Sequence, residues 1–101
     1  MAGEQRYSSI WDALEDSPEA AEHLRIRSQL MREAQRLVRE SGLNQTAAAR
    51  QAGVTQPRMS DLVRGRISKF SSDALVDIIR AFGKRIEISF EEIEEPQTAA
   101  G

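Results

Sequence analysis

The amide, hydroxyl and guanidinium side chains between residues 44 and 71 offer a chemistry of hydrogen bonding and charge. The amide of Gln56 can donate and accept at once, and the guanidinium of Arg58 is permanently charged. The chain of 101 residues has no cysteine and a single histidine, His23. Those counts exclude a cysteine nucleophile, a thiolate zinc site and a pair of catalytic histidines. The sequence therefore predicts a binding protein and no enzyme, with no cofactor and no metal site.

Charge is segregated along the chain, although the net charge is only −2. Residues 25–85 carry a net charge of +8, and residues 1–24 and 86–101 carry −5 each. This distribution suggests a basic surface in the centre of the chain, and an ordinary solvated face would give it equally well. No apolar run approaches the roughly 18 residues of a membrane span, and we find no signal peptide. We therefore expect one small domain that resides in the cytoplasm, without a membrane partner.

Hydrophobic spacing and capping residues predict about five helices in an all-α domain. The first is a short helix in the N-terminal head. A serine, asparagine or threonine precedes each of the other four, as an N-cap does, and a glycine follows each of them. These four helices are expected over residues 18–40, 45–52, 56–64 and 72–82. Residues 67–70 are expected to form a loop.

The stretch Gln45–Gly65, QTAAARQAGVTQPRMSDLVRG, predicts two short helices joined by a tight turn. Such helices must bury a shared face, which the small and apolar residues can supply. Ala49 is small where the helices approach each other, and Gly53 permits the positive φ of the turn. These residues fall at the spacing of the helix-turn-helix in phage-repressor-like (Xre) DNA-binding proteins, which this stretch resembles. The residues expected in the shared face are Ala48, Ala49, Ala52, Val54, Met59 and Leu62.

The resemblance implies that the second helix of the pair enters the major groove of DNA, N-terminal end first. The amide of Gln56 suits the N7/N6 edge of adenine, and Pro57 offers an apolar surface to a thymine methyl. Arg58 is expected to meet a guanine or a phosphate. Asp61 could accept from a cytosine, hold an arginine in place, or pair with Arg58 or Arg64 one turn away. The predicted base-reading residues are Thr55, Gln56, Pro57, Arg58, Ser60 and Asp61.

A second set of residues is expected to contact the phosphate backbone. In the resembled family a glutamine at the position of Gln45 touches phosphate, with the helix N-terminus behind it. The loop before the last helix is a usual place for such contacts, although Arg66 and Lys69 could equally be plain surface residues. Phosphate contacts position a protein and make binding salt-dependent without specifying sequence. The predicted phosphate contacts are Asn44, Gln45, Arg64, Arg66, Lys69 and Ser71.

Residues 84–90, KRIEISF, alternate apolar and polar side chains and predict a β-strand. A single strand cannot satisfy its own backbone groups, so its simplest partner is the same strand of a second copy. An antiparallel pair centred on Ile88 places Ile86 against Phe90. We therefore expect a homodimer built partly on Ile86, Ile88 and Phe90. The strand could alternatively lie along the helices or pair with a different protein.

The order of elements over residues 8–90 narrows the resemblance. The elements come in this order: a head, a Ser-Pro break, a long helix, the helix-turn-helix, the motif FSSDAL, a last helix ending in Phe-Gly, and a strand. This order resembles HigA-like antitoxins of the Xre class, which are partners of RelE-like ribonuclease toxins. The resemblance implies a nucleoid-associated repressor that binds a double-stranded operator, autoregulates its operon and neutralises a RelE-like toxin. The alternatives are a stand-alone phage-type regulator and a protein-interaction adaptor that uses its acidic ends.

The head, residues 1–16, is the expected toxin-binding segment. Its apolar side chains recur at helical spacing among acidic neighbours, so they could lie as a helix in a groove of a partner. RelE-like toxins are usually basic because they bind RNA, and an acidic segment complements them. The same stripe could instead pack on this protein's own helices. The candidate residues are Tyr7, Ile10, Trp11 and Leu14. Residues 17–90 would then form the helix-turn-helix domain and residues 91–101 an acidic flexible tail.

Overall fold

A computed structural model describes residues 17–94 of the chain, and four α-helices lie in that range. They are α1 (Pro18–Ser41), α2 (Gln45–Ala52), α3 (Gln56–Val63) and α4 (Ser72–Ala81). The four helices expected after the head are therefore confirmed, each to within one residue at either end. The helix expected in the head lies outside the described residues.

Local hydrogen bonds at the chain's caps and turns explain where the helices begin and end. Ser17 Oγ accepts from the Ala20 N–H at 3.0 Å, and Pro18 begins α1, where a backbone N–H has no partner within the helix. Between α2 and α3, Gly53 has a φ of +76°, which confirms the positive φ predicted for the turn. The Val54 N–H donates to the Ala49 carbonyl at 3.0 Å, which closes the end of α2.

One hydrophobic core gathers residues from all four helices. Met59 and Leu62 of α3 and Leu75 of α4 are fully buried, and Ala34 of α1 is buried beside them in the same cluster. An isolated helix of eight residues is marginal in water, so α2 and α3 depend on this core for their stability. The buried residues are Met31, Ala34, Val38, Ala48, Ala49, Met59, Leu62, Phe70, Leu75, Ile78 and Ile79.

The segment before α4 differs from the expected loop. Ile67–Lys69 form a single turn of 3-10 helix, in which the Phe70 N–H donates to the Ile67 carbonyl at 3.1 Å. Phe70 is 2% exposed, and Ile67 packs against the core. The turn forms because these two apolar side chains are drawn inward on either side of the exposed Lys69.

The outer surface of α1 carries a small ionic network. Arg36 bridges Glu33 and Glu40, one turn away on either side. The hydrogen bond from Arg36 lowers the pKa of Glu33. These pairs are largely exposed, so each contributes little beyond local support of the helix. Among residues 17–94, no helix has the length and apolar character that crossing a membrane requires.

Residues 24–86 form one compact unit, and the described residues 17–23 and 87–94 belong to a second. The predicted division into a head, a helix-turn-helix domain and a tail stays a prediction, because residues 1–16 and 95–101 lie outside the described residues.

The strand expected over residues 84–90 is not formed in the single chain. Residues 84–93 lie in no helix or strand of the described structure. A lone strand has no partner for its backbone groups, which explains why one copy of the chain forms none. Ile86 packs against the core, whereas Ile88 is 71% exposed and Phe90 is 93% exposed. The pairing of two such segments across a homodimer remains a prediction.

Candidate nucleic-acid interface

The shared face of α2 and α3 determines how the candidate interface is built. Ala48 and Met59 are fully buried between the two helices and their neighbours, and Ala49 is 4% exposed. Ala52 and Val54, also expected in this face, are partly buried and pack against it. The predicted pair of short helices with a tight turn is therefore confirmed. It leaves the N-terminal end of α3 at the surface, where Gln56 and Pro57 are exposed.

Three of the predicted DNA contacts are the N-caps of the three helices that follow α1. Asn44 caps α2, Thr55 caps α3 and Ser71 caps α4. Each side-chain oxygen accepts from a backbone N–H three residues later, at 2.8, 3.3 and 3.1 Å respectively. All three side chains are exposed, and capping leaves their amide or hydroxyl hydrogens able to donate outward. The partial positive charge of a helix N-terminus lies behind each of them, which favours an anion there.

The remaining predicted phosphate contacts differ in exposure. Gln45 is half-buried at the first position of α2, whereas Arg66 and Lys69 are exposed on and beside the 3-10 turn. Arg64 is exposed as the C-cap residue of α3. These side chains bring three positive charges to the segment that follows α3.

Asp61 makes an ion pair, but with a different arginine from the two expected. Its carboxylate lies 3.9 Å from Nε of Arg66, and its backbone carbonyl accepts from the Arg66 N–H at 3.0 Å. Among the described residues, neither Arg58 nor Arg64 forms an ion pair with it. Asp61 therefore holds an arginine that is itself a predicted phosphate contact, which was one of the alternatives left open for it.

The guanidinium of Arg58 is engaged within the protein. Its Nη1 donates to the Lys69 carbonyl at 3.0 Å, and its Cζ lies 4.4 Å from the centre of the Phe70 ring. Sequence reasoning expected this side chain to meet a guanine or a phosphate and did not anticipate either contact. No local spacing in the sequence indicates these contacts, because Arg58 meets Lys69 and Phe70 only in the folded chain.

Two glutamines that the sequence reasoning missed fasten the C-terminal ends of helices. Gln35 of α1 donates its side-chain amide to the carbonyls of Leu62 and Val63, at 3.0 and 3.3 Å. Gln51 of α2 donates in the same way to the Ala81 carbonyl at 3.3 Å. The last carbonyls of a helix lack a partner within it, and these amides supply donors there, although the Leu62 carbonyl also accepts from the Gly65 N–H at 2.9 Å. The contacts join residues about 30 positions apart, which local sequence patterns do not reveal.

Gly65 lies beside one of these amides and is restricted by it. Its φ is +75°, and a Cβ at this position would lie 3.3 Å from the Gln35 amide nitrogen. Glycine is therefore favoured here by both its backbone and its neighbour. The result is a fixed C-terminal end for α3.

An open cleft of about 370 Å³ lies beside the beginning of α2 and the end of α3. Its walls mix aliphatic, amide and guanidinium side chains and hold no nucleophile with a neighbouring base. Within the part of the chain that the structure describes, no group of three or more histidine or acidic side chains could hold a metal ion. The lining residues are Gln35, Val38, Arg39, Leu43, Asn44, Gln45 and Val63.

The fold contains a helix-turn-helix whose second helix has an exposed N-terminal end, and a match to a helix-turn-helix family model supports a DNA-binding protein of the Xre-like type. A family model described as a helix-turn-helix domain matches residues 13–91, which is more than half of the chain. The chain belongs to this helix-turn-helix domain family. A sequence comparison with curated proteins gave no match.

The role of Gln35 is testable by replacing it with alanine. We expect Gln35→Ala to lower the free energy of unfolding by about 1–2 kcal/mol, because the Val63 carbonyl loses its hydrogen bond from Gln35 and the Leu62 carbonyl loses one of two. Gln29→Ala is the matched control, since Gln29 is exposed on the same helix and should change stability by less than about 0.5 kcal/mol. Urea unfolding followed by circular dichroism measures both. Equal losses for the two variants would contradict the capping role.

Proposed function

We propose that this DNA-binding regulator is a dimeric, sequence-specific transcriptional repressor that reads its operator with α3. The observation that carries the proposal is the exposed N-terminal end of α3, where Gln56 and Pro57 face solvent above a buried, fixed helix pair. A helix held this way can enter the major groove without rearrangement of the core. A rigid reading helix loses little conformational freedom on binding, which favours affinity.

Gln56 is the residue we assign to base recognition. Its NH2 group can donate to N7 of adenine while its carbonyl oxygen accepts from the N6 amino group. The side chain therefore suits the base edge of adenine. No hydrogen bond within the described residues engages its side chain, in contrast to Arg58. Pro57 beside it lacks an N–H and presents an apolar ring, which suits a thymine methyl. Thr55 and Ser60 flank these two residues and complete the proposed reading surface.

Capping residues and basic side chains carry the proposed phosphate contacts. Asn44 and Ser71 can donate outward from helix N-termini, and Arg66 and Lys69 add positive charge between α3 and α4. These contacts would set the position of α3 in the groove without reading sequence. Binding should therefore weaken steeply as salt rises.

Gln56→Ala tests the base-reading assignment. The probe is the duplex that the wild-type protein selects from a randomised pool, together with its single base-pair variants. We expect the variant to lose about 1–3 kcal/mol of discrimination at one base pair, because one pair of hydrogen bonds to that base disappears. Gln29→Ala on α1 is the matched control and should keep the wild-type profile. An unchanged profile for Gln56→Ala, measured by fluorescence anisotropy, would refute the placement of the reading helix.

A second copy of the chain is the proposed partner of residues 84–90. Ile88 and Phe90 are large apolar side chains left largely in water, and the alternation of the segment suits a strand. An antiparallel pair centred on Ile88 would bring both side chains against those of the second copy and pair the backbone groups along one edge of each strand. A two-fold dimer also suits DNA recognition, because helix-turn-helix dimers read two half-sites about 34 Å apart.

Ile88→Asp tests the dimer. We expect this variant to be monomeric, because the pairing sets residue 88 of one copy against residue 88 of the other and so places two carboxylates together. Ile93→Asp is the matched control, since Ile93 is 67% exposed but lies outside the predicted strand. Size-exclusion chromatography with multi-angle light scattering measures the mass. A wild-type monomer, or a dimer that survives Ile88→Asp, would contradict the proposal.

We further propose that the repressor acts as the antitoxin of a toxin–antitoxin pair. The order of its elements and its resemblance to HigA-like antitoxins support this role, as does the net charge of −5 over residues 1–24, which suits a basic RelE-like partner. In this proposal residues 1–16 bind the toxin, residues 17–90 form the DNA-binding domain and residues 91–101 form a tail. A stand-alone regulator is the second candidate, favoured by membership of a helix-turn-helix family alone.

Removal of residues 1–16 separates these two functions. We expect the tagged full-length chain to recover from its host one small basic protein, in near-equal amount, that arrests growth when expressed alone. The shortened chain should lose that partner and keep its affinity for DNA, because the residues assigned to DNA contact lie between 44 and 71. Recovery of the chain's own dimer alone would favour the stand-alone regulator, and a partner retained by the shortened chain would move its binding site elsewhere.

A further inference from the structure

We propose that Arg58 is a positioning residue, which fastens the 3-10 turn bearing Lys69 to the reading helix and does not itself contact a base. The proposal rests on the proposed function, in which α3 reads bases and the segment after it contacts phosphate. It assigns to Arg58 a role in keeping those two parts in a fixed relative position.

Two contacts of one side chain support this role. The Arg58 guanidinium donates to the Lys69 carbonyl at 3.0 Å and lies over the Phe70 ring at 4.4 Å. The ring is 2% exposed and belongs to the core, so it offers a fixed platform. A planar guanidinium that stacks on a ring and donates from its edge is restricted in two directions at once. An arginine that turned outward to a base would give up both contacts.

Packing of Ile67 and Phe70 anchors the two ends of the turn, and the bond from Arg58 acts on the exposed residue between them, Lys69. Ile67–Lys69 form one turn of 3-10 helix, whose hydrogen bonds have poorer geometry than those of an α-helix. Ile67 packs inward, but the basic side chains of Arg66 and Lys69 are exposed. A phosphate contact is useful for register only if the backbone that carries it has a fixed position.

Asp61 supplies a second restraint from the same side of α3. Arg58 and Asp61 are three residues apart and therefore share a face of the helix. Asp61 pairs with Arg66 at the beginning of the turn, and Arg58 reaches Lys69 and Phe70 at its end. Asp61, whose negative charge is unfavourable next to DNA, thus lies on the face of α3 that is directed at the turn, where it pairs with Arg66. Gln56 and Ser60, four residues apart, share a different face and are left for the bases.

A double-mutant cycle in DNA binding tests the proposal. The probe is the duplex that the wild-type protein selects from a randomised pool, with its single base-pair variants. Arg58→Met keeps a long unbranched stem and removes the guanidinium. We expect it to weaken binding about tenfold, by the same factor on every duplex, since a displaced turn affects no particular base. In a protein that already carries Arg66→Met and Lys69→Met, we expect Arg58→Met to weaken DNA binding by less than about threefold. The phosphate contacts that Arg58 positions are then already absent.

Arg32→Met is the matched control for the loss of one positive charge, since Arg32 is exposed on α1. It should weaken binding by the same small factor in both backgrounds. A tenfold loss for Arg58→Met that persists without Arg66 and Lys69 would overturn the proposal, and so would relaxed preference at one base pair, which indicates direct reading. If the wild-type protein selects no sequence, the proposed function fails and the inference fails with it.

The fold of each variant is checked by circular dichroism and thermal unfolding before binding is measured. If Arg58→Met does not fold, Phe70→Leu serves in its place, because leucine keeps an apolar side chain in the core and removes the ring beneath Arg58. We expect Phe70→Leu, like Arg58→Met, to weaken DNA binding less in the protein that carries Arg66→Met and Lys69→Met than in the wild-type protein. Amide exchange gives an independent readout: the Phe70 N–H should exchange faster in Arg58→Met than in Arg32→Met, and equal rates would overturn the proposal.

Discussion

The close packing of α2 against α3 is the constraint on which the interface depends. Both helices have only eight residues, which is too short for stability in isolation. They are held because Ala48 and Ala49 allow close approach and because Met59 and Leu62 are buried in the common core. The buried face of α3 fixes, by the helical period, which of its residues are left outside. The exposure of Gln56 and Pro57 is therefore a consequence of the core.

A second set of interactions fixes the ends of these short elements. Side chains of Gln35, Gln51 and Arg58 each donate to backbone carbonyls at the end of a helix or turn that belongs to another part of the chain. Such bonds add modest stability and supply donors to carbonyls near the ends of short elements, where partners within the element run out. They also fix the direction in which each helix ends. Recognition of DNA requires that kind of positional definition more than it requires additional burial.

Helix boundaries could be predicted from the sequence because their causes are local. The caps Ser17, Asn44, Thr55 and Ser71, and the glycine in the turn after α2, act on backbone groups within three or four residues. The spacing of apolar residues predicted the shared face of α2 and α3 for the same reason. The family of the chain followed from the same local pattern, since the residues of the helix pair have a characteristic spacing.

The contacts that sequence reasoning missed are those between residues distant in the chain. No spacing rule connects Gln35 with the end of α3, or Arg58 with Phe70, because each pair meets only after the core has formed. The sequence therefore relates Arg58 and Asp61 mainly to DNA and to each other. The strand predicted at residues 84–90 shows a different limit. Its alternating pattern indicates a strand, but a strand needs a backbone partner, which one copy of the chain does not provide.

The most direct test of the proposed interface is to map the DNA-binding surface by amide chemical shifts in solution. The labelled protein is titrated with the duplex it selects from a randomised pool. We expect the largest shifts at the N-terminal end of α3 and in residues 64–71, with small shifts over residues 24–34 of α1. Shifts concentrated on α1, with α3 unaffected, would contradict the claim that the end of α3 and the adjoining basic turn form the surface that meets DNA.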